Sequence, residues 1–485
     1  MNHSRRSVQV ALATALVTVS GLPMACGDVP ETDPKMVSVW MHTLYGLVRA
    51  ERLSPPLASR VFAYASTALY FGLSSLPKQS STANLMNGLP DLPRPKSVRG
   101  YDATITAVAA ERVTLDSLLM EALPTTRAAI GRLADSLSTT QLAFGVSESV
   151  RSRSELLGRQ IGLAIVAWAH ADGFDSTRGR KYVPPVGRGL WVNDSPVTNY
   201  ATQNLSGASE LVVPDNPANA RRSGNSSDRG LILSRPKVAG GGTMPAVNMA
   251  GATEPYWGDN RFFVLEGWQD CPVPALAPFS TSPGTQIYED ANVVFTTGRN
   301  LTAEQRLITL YWADNAGETG TPTGHWLSIA SQMVSAKHLP AQAAARLMML
   351  TSVAMADAFI ATWAVKFRIN LIRPRTYVRS VMDPTWEPAI PTPPFPEYVS
   401  AHSAVSAAAA AALTSVLGGV AFEDSTGLAA GNGIRRFDSF RSAASEAGMS
   451  RIFGGLHFPH SNTAGRALGE CVGAKVVARL GGSAE

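Results

Sequence analysis

The run from Pro340 to Ile372, PAQAAARLMMLTSVAMADAFIATWAVKFRINLI, constrains the fold more than any other stretch. It is apolar on nearly all sides, with few surface-type residues before Lys366. A helix without a polar face lies inside other helices, so the chain must wrap it. With 485 residues, 45% of them hydrophobic, there is enough material to do so. Charged residues make up only 16%, which argues against a solenoid of polar helices and against a disordered chain. The run stops at Arg373-Pro374, since proline cannot continue a helix.

Apolar positions at helical spacing recur over 36–52, 55–76, 103–121, 124–143 and 148–173, the second opened by Ser54-Pro55-Pro56. Between about 174 and 260 Gly, Pro, Asn and Ser dominate, as in ARRSGNSSDRG at 220–230. That stretch is too long for a plain loop, so it reads as a functional excursion or as partly disordered. Trp257, Phe262, Phe263 and Trp268 predict that its later part packs back on the protein. Helical patterning resumes at 285–298, at 302–315 behind a Thr302…Gln305 capping box, and at 326–337. Residues 375–399 read as extended and proline-rich. A helix over 403–416, a glycine-rich break at 427–433, and helices near 436–453 and 461–479 complete the chain. The expected fold is all-α, built of helical bundles. The expected division is a leader (1–26), an N-terminal helical region (27–173), the excursion (174–284) and a C-terminal bundle (285–485).

Arg5 and Arg6 precede an apolar run from Val8 to Leu22, then small residues at Ala25 and Cys26. This is the grammar of a secretory signal, too short to span a bilayer. Ser4-Arg5-Arg6 weakly resembles a twin-arginine start. Leu22-Pro-Met-Ala-Cys26 resembles a bacterial lipobox with its leucine one place too far from the cysteine. The expected location is the periplasm, the outer surface or the extracellular space, with lipid attachment at Cys26 left open. No other apolar stretch is expected to cross a membrane. The formal charge of +5 is spread out, and without a basic run nucleic acid is not an expected partner. Only Cys271 and Cys471 follow, too few for a disulfide framework or a zinc site, and their pairing is open.

The chemistry concentrates near the C-terminus. Pro394 and Pro396 keep FPEYVSAH (395–402) extended up to Ser400, a good helix N-cap, with His402 in the first helical turn. A helix start offers unpaired N–H groups and a positive dipole end, and so suits an anion. A histidine there can move protons to or from that anion. Lys366 and Arg373, two turns apart, share a helix face, and Arg451 and His457 flank the break at Gly454-Gly455. Singly, each cation is most simply an ordinary ion-pair partner. Together they suit one tetrahedral oxyanion. No Cys/His/Asp cluster has zinc or iron spacing.

The ordered set Lys366-x6-Arg373-Pro374, Ser400-Ala401-His402 and Ser450-Arg451-x3-Gly455-x-His457 resembles the three-part signature of the vanadium-dependent haloperoxidases and type 2 phosphatidic acid phosphatases. SPPLASRVFAYASTALY, YWADNAG…TPTGHW and PTPPFPEY resemble secreted bacterial haloperoxidase-type members. The resemblance implies haloperoxidase-like bundles with the oxyanion in the C-terminal one. His457 would be the axial ligand of a vanadate cofactor, and His402 the acid/base partner. Lys366, Arg373 and Arg451 would neutralise oxyanion charge, with the Ser400 hydroxyl and the Ala401 N–H, where glycine is usual, as further donors. Trp363 and Phe395 match positions lining the halide side. His325 would line the pocket or be a satisfied structural histidine. The implied reaction oxidises halide with hydrogen peroxide to a hypohalous-acid equivalent that halogenates a small organic acceptor. The same residues fit an acid phosphatase working through a phosphohistidine at His457, and a third reading is a non-catalytic oxyanion-binding lipoprotein. One departure stands out. The family pattern often has aspartate four residues after the last histidine, and here Ser461 stands there beside His460. An imidazole ligand without an orienting carboxylate is expected to bind weakly.

The leader makes the first prediction. Protein recovered from the native cell is expected to lack the N-terminal segment. Mass spectrometry of its N-terminus checks this, and an intact 1–26 segment on cytoplasmic protein would refute it.

Overall fold

Apolar residues recurring at helical spacing build the elements one after another. Helices α1 (Lys35–Ala50), α2 (Pro55–Ser74), α3 (Ala103–Leu118), α4 (Pro124–Ala143), α5 (Glu148–His170) and the short α6 (Phe174–Thr177) form the N-terminal part. Then come α7 (Gln286–Arg299), α8 (Ala303–Tyr311), α9 (Thr321–Ala336), α10 (Ala341–Ile369), α11 (Pro374–Val381), α12 (Ala401–Leu417), α13 (Phe440–Phe453) and α14 (Pro459–Leu480). The computed structural model describes residues 32–74, 84–95, 100–194 and 251–481. The leader with Cys26, and the middle of the excursion (195–250), lie outside the described residues.

Helix α10 is the axis of the fold. Every residue from Leu347 to Lys366 is buried, and α1, α2, α9, α12 and α14 pack against it. By length and composition α10 could cross a membrane, although the sequence reading counted no such stretch. Here its apolar window is wholly buried by the other helices. One polar residue serves it from within: the Asp357 carboxylate accepts the backbone N–H groups of Phe263, Val264 and Leu265 at 2.6, 2.9 and 3.1 Å. This binds the end of the excursion to the core, where Trp257, Phe262 and Phe263 are buried.

Two elements depart from expectation. Residues 375–381, read as extended, belong to α11: Pro374 at its first position suits a helix start, and Tyr377 and Val378 bury one face. The break between α12 and α13 holds a small hairpin, β1 (Phe422–Asp424) against β2 (Arg435–Phe437), with Phe422 opposite Phe437. It therefore takes the first residues of the expected 436–453 helix.

What matters most for function is how α12 meets α14. A Cβ on Gly469 would lie 1.9 Å from the Ala404 carbonyl oxygen, so only glycine permits the contact. Gly465 meets Ser400, Gly469 meets Ala404 and Gly473 meets Ala408, so the helices run parallel. The Ser400 N–H donates to the Ser461 carbonyl at 3.1 Å. Both N-termini therefore emerge side by side.

Cys271 and Cys471 are joined as a disulfide, tying the excursion to α14 across a sequence separation of 200 residues. A cross-link closing so long a loop restricts the unfolded chain, so Cys271→Ser is expected to cost about 4 kcal/mol. Denaturant unfolding of the wild type with and without reductant, beside the variant, checks this.

Candidate active site

Each site residue sits where a helix begins or ends. Lys366 is in the last turn of α10, Arg373 is the N-cap of α11, and Arg451 is in the last turn of α13. Ser400 is the N-cap of α12, with Ala401 and His402 in the first turn. His457 follows Gly455, which takes φ +78° and lies against Pro388. A side chain at Gly455 would strain the backbone and press on Pro388, so glycine turns the chain from α13 into α14.

The cations are buried: Lys366 and Arg373 are 0% exposed and Arg451 is 5% exposed. Backbone carbonyls hold them. Lys366 Nζ donates to Pro396 O at 3.0 Å and Glu397 O at 2.8 Å. Arg373 Nε donates to Phe395 O at 2.8 Å and its Nη1 to Leu456 O at 2.9 Å. Arg451 Nη1 donates to Trp312 O at 2.9 Å. The Phe395 ring lies under two of them, 5.3 Å from Lys366 Nζ and 4.8 Å from the Arg373 guanidinium. Burial, then the Arg373 charge, pushes the Lys366 ammonium well below its usual range, against the pull of Glu397.

Both histidines face this charge. Burial, followed by the charges of Arg373, Lys366 and Arg451, pushes the His457 ring well below the ordinary imidazole range. Its Nδ1 lies 2.9 Å from Glu397 Oε1, and Arg373 Nη1 lies 3.4 Å from its Nε2. A carboxylate accepts only from N–H, so the hydrogen is on Nδ1, and Nε2 turns a lone pair toward the cations. Burial, then Arg451 and His325, lowers His402 in the same way, while a hydrogen bond to the Trp312 backbone acts against the shift. His402 Nε2 is buried without a hydrogen-bond partner among the described residues. The Ser400 hydroxyl lies 2.9 Å from Ser403 Oγ and accepts the Ser403 N–H at 3.4 Å. A neutral imidazole lone pair, a second neutral imidazole, three cations and two helix N-termini thus surround one place. This arrangement suits an oxyanion of several negative charges.

Residues 346–483, which hold all of these groups, match the family model for the second helical-bundle domain of VCPO. Among solved structures, the first bacterial vanadium-dependent iodoperoxidase superposes with a TM-score of 0.75 at 28% identity, over 93% of this chain and 97% of that one. Residues 346–483 are thus a haloperoxidase-type helical-bundle domain, and the chain as a whole has the PAP2-like fold of these structures. A holo-type bacterial vanadium-dependent chloroperoxidase shares the fold at 15% identity, with a TM-score of 0.55 over 94% of each chain. An apo-type chloroperoxidase does so at 14% identity and 0.55, over 93% of this chain and 96% of that one. No curated protein matches the sequence.

The two aromatics expected on the halide side pack against each other, with the Trp363 and Phe395 centroids 5.0 Å apart. Trp363 is 1% exposed and donates from Nε1 to Thr253 O at 3.1 Å, so it stands behind Phe395. As a pocket residue His325 requires a correction, and its other reading, a satisfied structural histidine, is the one the geometry matches. Its Nδ1 lies 2.9 Å from Asp314 Oδ1 and its Nε2 2.9 Å from Asp424 Oδ2, so both ring nitrogens are taken and neither meets a ligand. It stacks on Trp312 at 4.4 Å. Its link to the pocket runs through Asp314, whose Oδ2 is 3.9 Å from His402 Nε2. Ser461 requires another. His457 does have an orienting carboxylate, and it comes from Glu397. Sequence reasoning passed over Glu397 and Asp314, although each stands in a quoted motif, PFPEY and YWADN.

His325 makes a pH prediction. Burial alone would lower its pKa, but the Asp314 and Asp424 charges overcome this and raise it from 6.5 to about 10. A folded-state pKa above the unfolded one gives stability that is complete below the unfolded value. It is lost as pH rises through the folded value, here between 6.5 and about 10. His325→Gln is expected to abolish that slope and to cost about 3–5 kcal/mol at neutral pH by leaving two buried carboxylates without their cation. Urea unfolding across the alkaline range checks both.

Proposed function

We propose that this protein is an exported, vanadate-dependent haloperoxidase that oxidises halide with hydrogen peroxide and delivers the halogen to a small organic acceptor. The observation that carries this reading is the His457 Nε2 lone pair aimed among three buried cations at paired helix N-termini. The residues fit vanadate on their own chemistry. His457 offers a neutral nitrogen ligand, and the buried Nε2 of His402 lacks a partner among the described residues.

Vanadate would be held by His457 Nε2, with Lys366, Arg373 and Arg451 balancing its charge and the Ser400 hydroxyl and Ala401 N–H as further donors. When bound, it supplies a Lewis-acid centre that activates hydrogen peroxide toward halide without changing its own oxidation state. His402, kept neutral by its surroundings, takes a proton at Nε2 and returns it. Asp314 Oδ2 lies 3.9 Å from that same nitrogen, placed to steady the charged ring. Phe395 and Trp363 give the pocket an apolar wall that keeps water from the cations. The disulfide supports an oxidising compartment and hence export, and a lipid anchor at Cys26 is compatible with it.

The test divides one purified sample. One half receives vanadate, peroxide and halide with a phenolic dye acceptor, and the other a chromogenic phosphate ester without vanadate. Halogenation is expected to require vanadate, to vanish in His457→Ala, and to fall by about 10²–10⁴-fold in His402→Ala. Ester hydrolysis that is lost in His457→Ala, with no halogenation, would assign the site to a phosphatase instead.

A further inference from the structure

Glu397 reaches both walls of the pocket. Its carbonyl accepts from Lys366 Nζ at 2.8 Å, and its N–H donates to Leu371 O at 3.0 Å. Its side chain, 0% exposed, crosses to the other wall. Oε1 accepts from His457 Nδ1 and from the Phe458 N–H, both at 2.9 Å. Oε2 accepts from the Ser461 hydroxyl at the start of α14. Neighbouring His460 makes no hydrogen bond to His457: its Nδ1 is engaged by Asp290, and its Nε2 has no partner among the described residues.

Taking the oxyanion reading above as its basis, we propose that Glu397 is the positioning residue for His457, and that the pocket is built for a single orienting carboxylate, with Ser461 as its hydroxyl partner. A carboxylate on Nδ1 holds the hydrogen there and leaves Nε2 free to bind. Ser461 completes the arrangement because it is small and donates a hydrogen. An aspartate in its place would set two carboxylates against each other in a dry interior, where like charges repel strongly. Restoring the family's usual aspartate is therefore expected to weaken the site while Glu397 is present. Sequence alone predicts the opposite sign.

The test measures orthovanadate affinity of the metal-free protein by calorimetry, and the His457 tautomer by nitrogen NMR of histidine-labelled protein. Glu397→Gln and Glu397→Ala are each expected to weaken binding by about 10–100-fold. Glu397→Ala should also spread His457 over both tautomers, which simple loss of packing would not do. Ser461→Asp in the wild type should weaken binding by about 10-fold or more, whereas in the Glu397→Ala background it should recover most of the loss, since one carboxylate then remains. Glu397→Gln is the milder change, for use if Glu397→Ala does not fold. Affinity within about twofold of wild type in Glu397→Gln and Glu397→Ala would overturn the proposal, as would tighter binding in Ser461→Asp alone. Wild-type protein that binds no vanadate would overturn the haloperoxidase reading instead. The tautomer measurement needs no anion and decides the role of Glu397 in either case.

Discussion

Everything at the site depends on keeping like charges buried together. An ammonium or guanidinium removed from water loses several kcal/mol of hydration, and three in one pocket also repel. The protein meets this with main-chain carbonyls, four of them gathered on Lys366 and Arg373 from residues 395–397 and 456. The proline-rich approach makes those carbonyls available. Proline fixes φ and lacks an N–H, so a chain bearing Pro393, Pro394 and Pro396 does not settle into a helix that would consume its acceptors. The segment serves as a strip of oxygen ligands for cations. The carbonyls line the groups with partial negative charge while the walls of the pocket keep them together.

Three histidines at and beside the site show environment deciding what one residue type does. His325 lies between Asp314 and Asp424 and is held as an imidazolium. His402 and His457 lie among cations and are held neutral. The charged ring is locked between two carboxylates, and the neutral pair faces the cations. Asp314 lies between the two kinds, with Oδ1 on His325 and Oδ2 3.9 Å from His402 Nε2.

Helix packing converts these local devices into a pocket. The glycines of α14 let it lie almost backbone to backbone on alanine-rich α12, and because the helices run parallel, two positive dipole ends reach the same place. Helix α10 does two jobs with one surface: its apolar length is the core, and its last turn delivers Lys366 to the site. Asp357 on the same helix and the Cys271–Cys471 disulfide fasten the excursion on which Trp363 leans.

Helices read from periodicity formed because burying an apolar face is a local pattern with a global outcome, and the buried character of α10 was explicit in its composition. The cations, Ser400 and both site histidines were legible because each sits at a helix boundary, and boundaries are marked by Pro, Ser and Gly. What sequence could not supply was pairing across the fold. Whether Cys271 meets Cys471, whether His325 faces a ligand or two carboxylates, and which carboxylate orients His457 are all questions of distance between residues far apart in the chain. The 60-residue gap between Glu397 and His457 closes only when α12 docks on α14. A carboxylate sought four residues along one helix was thus supplied from another segment, because a hydrogen bond requires an acceptor in reach and is indifferent to where in the chain that acceptor begins.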